Sequence, residues 1–423
     1  MLKEEGEENR MGTAVGQSDE ATAPPTKGSW VEVLWVFLRL GFTSFGGPVA
    51  HLGYFRTEFV QRRQWLDEKT YADLVALCQF LPGPASSQVG IAVGLSRAGW
   101  LGGLAAWVGF TLPSAFALIA FGYGIAAFGE LSTSGVIHGL KVVAAAVVAQ
   151  AVWGMANTLC TDLIRKTLAV LATLIVLIAP NAYGQVGAIV AAGIAGWLLI
   201  EAPPRQPAAH HGFSVTKPAG VIALVVFAVL LVALPLASSL VGDPTLAVID
   251  RFYRAGALVF GGGHVVLPLL QAGVVPPGWV SNSDFLAGYG AAQAAPGPLF
   301  TFAAFLGTVM SVTPNGWQGG LMCLVAIFLP AALLIIGALP FWDALRKLTA
   351  IQSAMAGMNA AVVGVLLAAL YDPVWTGAIR SRADFGLALT SFALLVVLRL
   401  SPLLVVMFAA LGGWLLGAGV FVL

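Results

Sequence analysis

Phe45-Gly46-Gly47-Pro48, followed by Gln79-Phe80-Leu81-Pro82-Gly83-Pro84, returns in the second half of the chain as Phe260-Gly261-Gly262-Gly263 and Gln293-Ala294-Ala295-Pro296-Gly297-Pro298. Outward from these motifs, Arg39 pairs with Arg254, Gly41 with Gly256, Trp65 with Trp279, Trp100 with Trp317, Pro113 with Pro330 and Gly139 with Gly357, all at nearly constant separation. One unit has been doubled and fused. Two prolines around a glycine cannot sit in an unbroken helix, and a Gly-Gly pair eases left-handed backbone. Each unit is therefore expected to carry two helix breaks.

The breaks fall in apolar surroundings. Of 423 residues 58% are hydrophobic and 10% charged, against about a quarter charged in a soluble domain, and mean hydropathy is +0.88. This composition predicts an all-α polytopic membrane protein with about 10–13 transmembrane helices. Apolar segments run over roughly 30–50, 71–94, 100–128, 135–160, 167–180 and 183–200, and again over 252–270, 284–312, 316–340, 351–371, 385–399 and 402–421.

The domains so read are an acidic tail (1–28), a first repeat (29–201), a polar proline-rich linker (202–217), a connecting transmembrane helix (218–244) and a second repeat (245–423). The tail lacks the apolar run of a signal peptide and is expected to be disordered. Six segments plus one place the second repeat upside down if every segment spans. The loop after the first Gly-Gly carries Arg56, Arg62, Arg63 and Lys69, whereas 271–284 carries no Lys or Arg. Both features predict two homologous repeats in inverted orientation.

Several function classes drop out. A net charge of +1 offers no field for nucleic acid. Cys78, Cys160 and Cys323 are far apart and read as small buried hydrophobes, and His210-His211 reads as part of a loop, so neither a metal site nor a cofactor is expected. The chain has no His-Glu-x-x-His, Gly-x-Ser-x-Gly, nucleotide-binding loop or Cys-x-x-Cys, which argues against an enzyme and against ATP-driven pumping. Transport driven by a gradient is what remains.

Arg39 and Arg254 sit inside apolar segments, where an arginine costs about 2.5–3.5 kcal/mol. Taken twice at equivalent positions, that cost points to anion ligands, because a guanidinium fork suits a tetrahedral oxyanion; the alternative is an arginine snorkelling to an interface. Gly46-Gly47 and Gly261-Gly262 predict half-helix N-termini that bind anions, or close packing through small residues. Pro82-Gly83-Pro84 and Pro296-Gly297-Pro298 predict cavity-lining breaks or structural kinks. Gln79 and Gln293 would add amide donors, and Ser86, Ser87 and Thr301 would add hydroxyls on the resumed turns.

His51 and His264 are candidates for proton handling, with hydrogen-bonded packing as the alternative. Lys141, aligned with Asn359, reads as a snorkelling lysine. Glu32, Asp73 and Glu130 lie near segment ends, so no carboxylate relay crosses an apolar run.

Taken together, the two Phe-Gly-Gly elements and the two Pro-Gly-Pro elements resemble the paired motifs of the chromate ion transporters, the CHR superfamily, in its long two-domain form, from about residue 30 to 423. The resemblance implies a multi-pass protein of the bacterial inner membrane, in contact with lipid, that exports chromate and confers chromate resistance. It also implies antiparallel halves and makes sulfate a structural analogue of the substrate. An importer of sulfate or another oxyanion is the alternative. Gly263 stands where the first copy has Pro48, and the loop after it lacks counterparts of Arg62 and Arg63, so unequal halves are expected. A homo-oligomer is left open by the sequence.

Overall fold

The computed structural model describes residues 28–127, 135–201, 215–260, 263–345 and 348–417. Most of the tail and linker, with His210-His211, Glu130 and the Gly261-Gly262 pair, lie outside them. Helices in chain order are α1 (Trp30–Thr43), α2 (Gly47–Arg56, continued by a π-helix, Thr57–Arg62), α3 (Glu68–Phe80), α4 (Ala85–Ala127), α5 (Gly135–Leu159), α6 (Leu163–Ile178) and α7 (Ala182–Leu199). A connecting helix, α8 (Lys217–Val241), is followed by α9 (Pro244–Ala257), α10 (Val266–Val274), α11 (Asn282–Ala294), α12 (Phe302–Val309) and α13 (Gly316–Ala338). The short α14 (Trp342–Leu345), then α15 (Thr349–Ala369), the short α16 (Thr376–Ala378), α17 (Arg382–Val396) and α18 (Pro402–Gly417) complete the chain. Short 3-10 turns, Gly263–Val265 and Leu299–Thr301, lead into α10 and α12.

Both motifs break helices for the expected reasons. Gly46 and Gly47 hold φ of 99° and 78°, and Gly83 and Gly297 hold 115° and 92°, backbone that side chains disfavour. The breaks do more than kink a spanning helix. Ion pairs Arg56–Glu68, Arg63–Glu32 and Arg97–Glu32, with Gly28 N–H donating to Arg97 O, gather the start of α1, the end of α2, the start of α3 and residue 97 of α4 at one base. Arg63 and Arg97 both lie over the Trp65 ring there. At Ala98-Gly99 the chain reverses, and a Cβ on Gly94 or Gly102 would overlap the other residue's carbonyl. Segments 30–50 and 71–94 are thus hairpins that turn at Gly46-Gly47 and at Pro82-Gly83-Pro84, which corrects the expectation of single spanning helices.

The second repeat does the same. Arg251 stacks on Trp279 at 4.2 Å and donates to Gly273 O, while Ser311 N–H donates to Trp279 O at 2.9 Å, so α9, α10, α11 and α12 share a second base. Segments 252–270 and 284–312 are likewise hairpins. The 100–127 arm of α4 leaves the first base and reaches the second, where Tyr123 Oη accepts from Trp317 N–H at 2.9 Å. Its counterpart α13 runs the opposite way: Ile119 lies by Gly320, the Trp107 and Phe328 rings are 5.8 Å apart, and Leu95 and Trp100 share a groove with Ala332 and Ile336.

The repeats are interlocked. A Cβ on Gly139 of α5 would overlap the Ala409 carbonyl of α18, and a Cβ on Gly357 of α15 would overlap the Ala192 carbonyl of α7. Each repeat's long helix therefore packs on the closing hairpin of the other. The hairpin tips are crossed as well: Gly83 N–H donates to Val259 O at 2.7 Å, and Gly297 N–H donates to Ser44 O at 2.8 Å.

Five helical stretches among the described residues are long and apolar enough to cross a membrane: Ala85–Ala127, Gly135–Leu159, Lys217–Val241, Gly316–Phe341 and Thr349–Ala378. Their outward faces, with those of the shorter helices, expose large apolar side chains such as Trp35, Trp153, Leu198, Val232 and Leu411, an apolar surface suited to lipid. The molecule is an all-α, multi-pass membrane protein.

Candidate functional site

A cavity of about 440 Å³ opens where the two repeats meet. The first repeat contributes Gly46, Gly47 and Pro48, with Gln150, Gly154 and Thr158 from α5; the second contributes His264, Gln293, Gly297 and Leu299. Among the described residues, no Asp, Glu, Lys or Arg lines it. Three helix N-termini face it: α2 behind Gly46-Gly47-Pro48, the Gly263–Val274 helix at His264, and the Leu299–Val309 helix behind Gly297. The opening amides of each helix have no carbonyl partner within it, and each carries roughly half a positive charge from the aligned peptide dipoles. Three such ends around a carboxylate-free cavity favour an anion. Gln293 adds a buried Nε2 one turn on from Tyr289, and His264 Nδ1 lies 2.9 Å from Tyr289 Oη.

The remaining candidates lie elsewhere. Arg39 is exposed on α1. Arg254 Nε donates to Asp250 at 2.7 Å and its Nη2 binds the second carboxylate oxygen, so its fork is already occupied by a carboxylate that is 3% exposed. Neither arginine lines the cavity, and the expected supply of charge from side chains is replaced there by backbone dipoles. Gln79 is exposed; Gly83 and Pro84 are buried at the tip, with Pro82 half-buried. Thr301 Oγ1 donates to Pro298 O at 2.7 Å, while Pro296 is half-buried beside Gly297. His51 is buried, donating from Nε2 to Ser44 O at 3.2 Å with Nδ1 3.4 Å from Ser86 Oγ, and Ser87 is buried next to it in sequence. Of the two histidines, His264 lines the cavity.

One expectation needs correction. Lys141 does not snorkel: it is 6% exposed, and its Nζ donates to Ser283 Oγ at 2.5 Å across the repeat boundary. On the amphipathic α9, Asp250 is buried and paired with Arg254 one turn on. Asp384 is buried too and accepts from His138 Nε2 at 2.7 Å. Removing Arg254 leaves Asp250 buried and unpaired, and losing one partner of a buried pair costs about 3–5 kcal/mol. R254Q is therefore expected to lower the melting temperature of the purified protein, with partial recovery in the D250N/R254Q double variant. An unchanged R254Q melting curve would contradict the pairing.

Gln150 and Thr158 are site residues that motif reading passes over. Their signal is spacing: Gln150, Gly154 and Thr158 recur every four residues, a polar and small stripe along an otherwise apolar helix.

Comparison with known proteins agrees with this architecture. The family model described as chromate transporter matches residues 31–197 and again 246–414. A chromate transport protein of Cupriavidus metallidurans is 29% identical over 395 residues, covering 90% of this chain and 92% of that one. Its namesake in Pseudomonas aeruginosa is 27% identical over 427 residues, covering 97% of each. An uncharacterised transporter of Methanocaldococcus jannaschii is 23% identical over 350 residues, or 80% of this chain and 83% of that one. No solved structure matches. The cavity, the doubled hairpins and the two matched regions define a membrane transport protein. The chain belongs to the chromate transporter family.

Proposed function

We propose that this chain exports chromate across the bacterial inner membrane, binding the tetrahedral dianion in the cavity between its repeats. The observation that carries this reading is the lining itself: the Phe-Gly-Gly-Pro element of one half and the Gln and Pro-Gly-Pro element of the other meet around a space ringed by helix N-termini, with no carboxylate among the described residues that line it. Chromate and sulfate carry their charge on oxygen, so amide N–H groups, Gln150, Thr158 and Gln293 can replace water around either. The curated relatives' names favour chromate.

The two repeats are taken as inverted. The opposite run of α13 against the 100–127 arm of α4 supports this, as do the two separate bases. With the hairpins returning to their own base, four spanning helices per repeat plus α8 keep the crossing number between repeats odd. Cysteines introduced at the exposed positions Lys69 and Pro277, in a chain stripped of its own cysteines, should label with an impermeant maleimide from opposite sides. Labelling from one side alone would overturn the inversion.

Rocking of one repeat against the other at the crossed tips would alternate access. A dianion leaving a negative-inside cell gains about 4.6 kcal/mol per 100 mV, so export needs no ATPase. Collapsing the potential at fixed pH should stop chromate movement in vesicles; transport sustained by a pH gradient alone would sink this driving force and point to His264.

The direct test of the site is Q293L in reconstituted vesicles. Losing a hydrogen bond to a charged ligand is worth about 1.5–3 kcal/mol, so chromate affinity should fall at least roughly tenfold. Unchanged affinity in both Q293L and Q150L would move the site elsewhere. Cells expressing an importer should become more sensitive to chromate, and those expressing an exporter less.

A further inference from the structure

Behind the cavity wall, the first repeat buries a set of polar side chains that no mechanism above uses. Ser44, His51, Ser86, Ser87, Gln88, Thr111 and Ser114 are each at most 2% exposed. They form one zone at the hairpin tips. Ser44 O accepts from His51 and from Gly297 N–H, His51 reaches Ser86, Ser114 Oγ lies 3.0 Å from where a Cβ on Gly297 would be, and Ser114 donates to Thr111 O at 3.1 Å. Gln88, next along the chain from Ser86 and Ser87, donates from Nε2 to Pro82 O at 2.9 Å, which fixes its amide orientation.

Four oxygens here have no hydrogen-bond partner: Ser44 Oγ, Ser87 Oγ, Gln88 Oε1 and Thr111 Oγ1. An orphaned buried polar atom costs about 1–3 kcal/mol, so four within one tip call for an occupant.

The second repeat shows that the fold does not require most of them. Its equivalents of Ser44, Ser86, Gln88, Thr111 and Ser114 are Val259, Phe300, Phe302, Phe328 and Ala331, all buried in the same crossed-tip geometry, while Ser87 corresponds to Thr301, whose hydroxyl donates to Pro298 O. At those five positions the tip closes with hydrocarbon on one side and with polar side chains on the other. Three of the four orphaned oxygens, those of Ser44, Gln88 and Thr111, therefore have no counterpart in the second half.

We propose that this tip is a binding site for an alkali cation, with Ser44 Oγ, Ser87 Oγ, Gln88 Oε1 and Thr111 Oγ1 as its ligands. The donor set is neutral, all oxygen and without a carboxylate or thiolate. Divalent cations favour carboxylate cages, and soft metals favour sulfur or imidazole, whereas both nitrogens of His51 are engaged here. Gln88 Oε1 is an acceptor only, which disfavours an anion. The C-terminal end of α1 brings the negative end of its dipole to Ser44, and the N-terminal end of the 85–97 arm opposes it, so the oxygens decide the sign. Broken helices that supply neutral oxygens to coupling ions are an established device of repeat-built transporters. The tip abuts Gly297, a cavity residue, so a cation there would stabilise the closed Gly297–Ser44 contact. In that coupling role the inference rests on the transport reading; the binding itself does not.

The test uses the purified full chain in detergent with no oxyanion present, and follows melting temperature as sodium chloride replaces choline chloride at constant ionic strength. A saturable rise specific to sodium is expected. T111V, which keeps shape and loses the oxygen, and S87A should each weaken the apparent sodium affinity by roughly tenfold or more, the loss of one charge-assisted contact. T111S should keep the response, which separates ligation from misfolding. Absence of any sodium-specific rise in the parent chain, or a rise unaltered in both T111V and S87A, overturns the proposal. So does a rise produced by sulfate and abolished by these substitutions, which would make the tip part of an oxyanion shell. Failure of the chromate reading shows instead in Q293L and leaves the sodium response intact.

Discussion

Valine at Gly297 abolishes substrate movement and lowers stability by about 2–5 kcal/mol; both effects follow from one position. Gly297 holds φ at +92°, where a β-branched residue is a steric outlier costing about 1–2 kcal/mol. Its Cβ would also come within 3.0 Å of Phe110 O and Ser114 Oγ, and overpacking of that kind adds about 1–3 kcal/mol. The same residue lines the cavity and donates its N–H to Ser44 O across the repeats, so a displaced backbone reshapes the wall and loosens the clasp together. Melting of purified G297V beside vesicle uptake checks this. Wild-type transport by a correctly inserted G297V would mean that the clasp is incidental.

The second large effect concerns the halves. Neither repeat expressed alone should accumulate as folded protein, because the long helix of each lies against the closing hairpin of the other. Gly139 meets the Ala409 carbonyl, and Gly357 the Ala192 carbonyl, in contacts with no room for a side chain. A lone first repeat would leave buried faces of α5 such as Ile137, Leu140 and Val143 uncovered, and burying each large side chain is worth about 1.5–3 kcal/mol. Co-expression of the two pieces, cut within 202–214, should restore transport, since the interlock is non-covalent. Folded, monodisperse 29–201 produced alone would contradict the exchange, as would co-expressed pieces that never associate.

What could be read from the sequence was local. Gly46-Gly47 and Pro82-Gly83-Pro84 announce helix breaks through backbone chemistry alone, and the doubling of each motif marks the repeats. That the chain turns back at these breaks depends on distant partners, Arg56 with Glu68 and Glu32 with Arg97, whose sequence separation hides them. Gln293 and Gly297 stood out because they repeat a motif, whereas Gln150 corresponds to Ala368 and shows, with Thr158, only as a stripe on α5. Arg254 misleads for a different reason. The rarity of arginine in apolar segments draws attention to the charge, and Asp250, one turn earlier, identifies the partner that satisfies it.

The exchange of closing hairpins also bears on ancestry. A protein made of one repeat would have had a long helix with no hairpin to cover it and a hairpin with no helix to receive it. Such a chain is complete only when two copies trade these parts. Two copies of a single repeat could make the same exchange only as a pair, and fusion fixes the order of the partners. From that point each tip could change without its twin. One of them now holds Phe300, Phe302 and Phe328 where the other holds Ser86, Gln88 and Thr111.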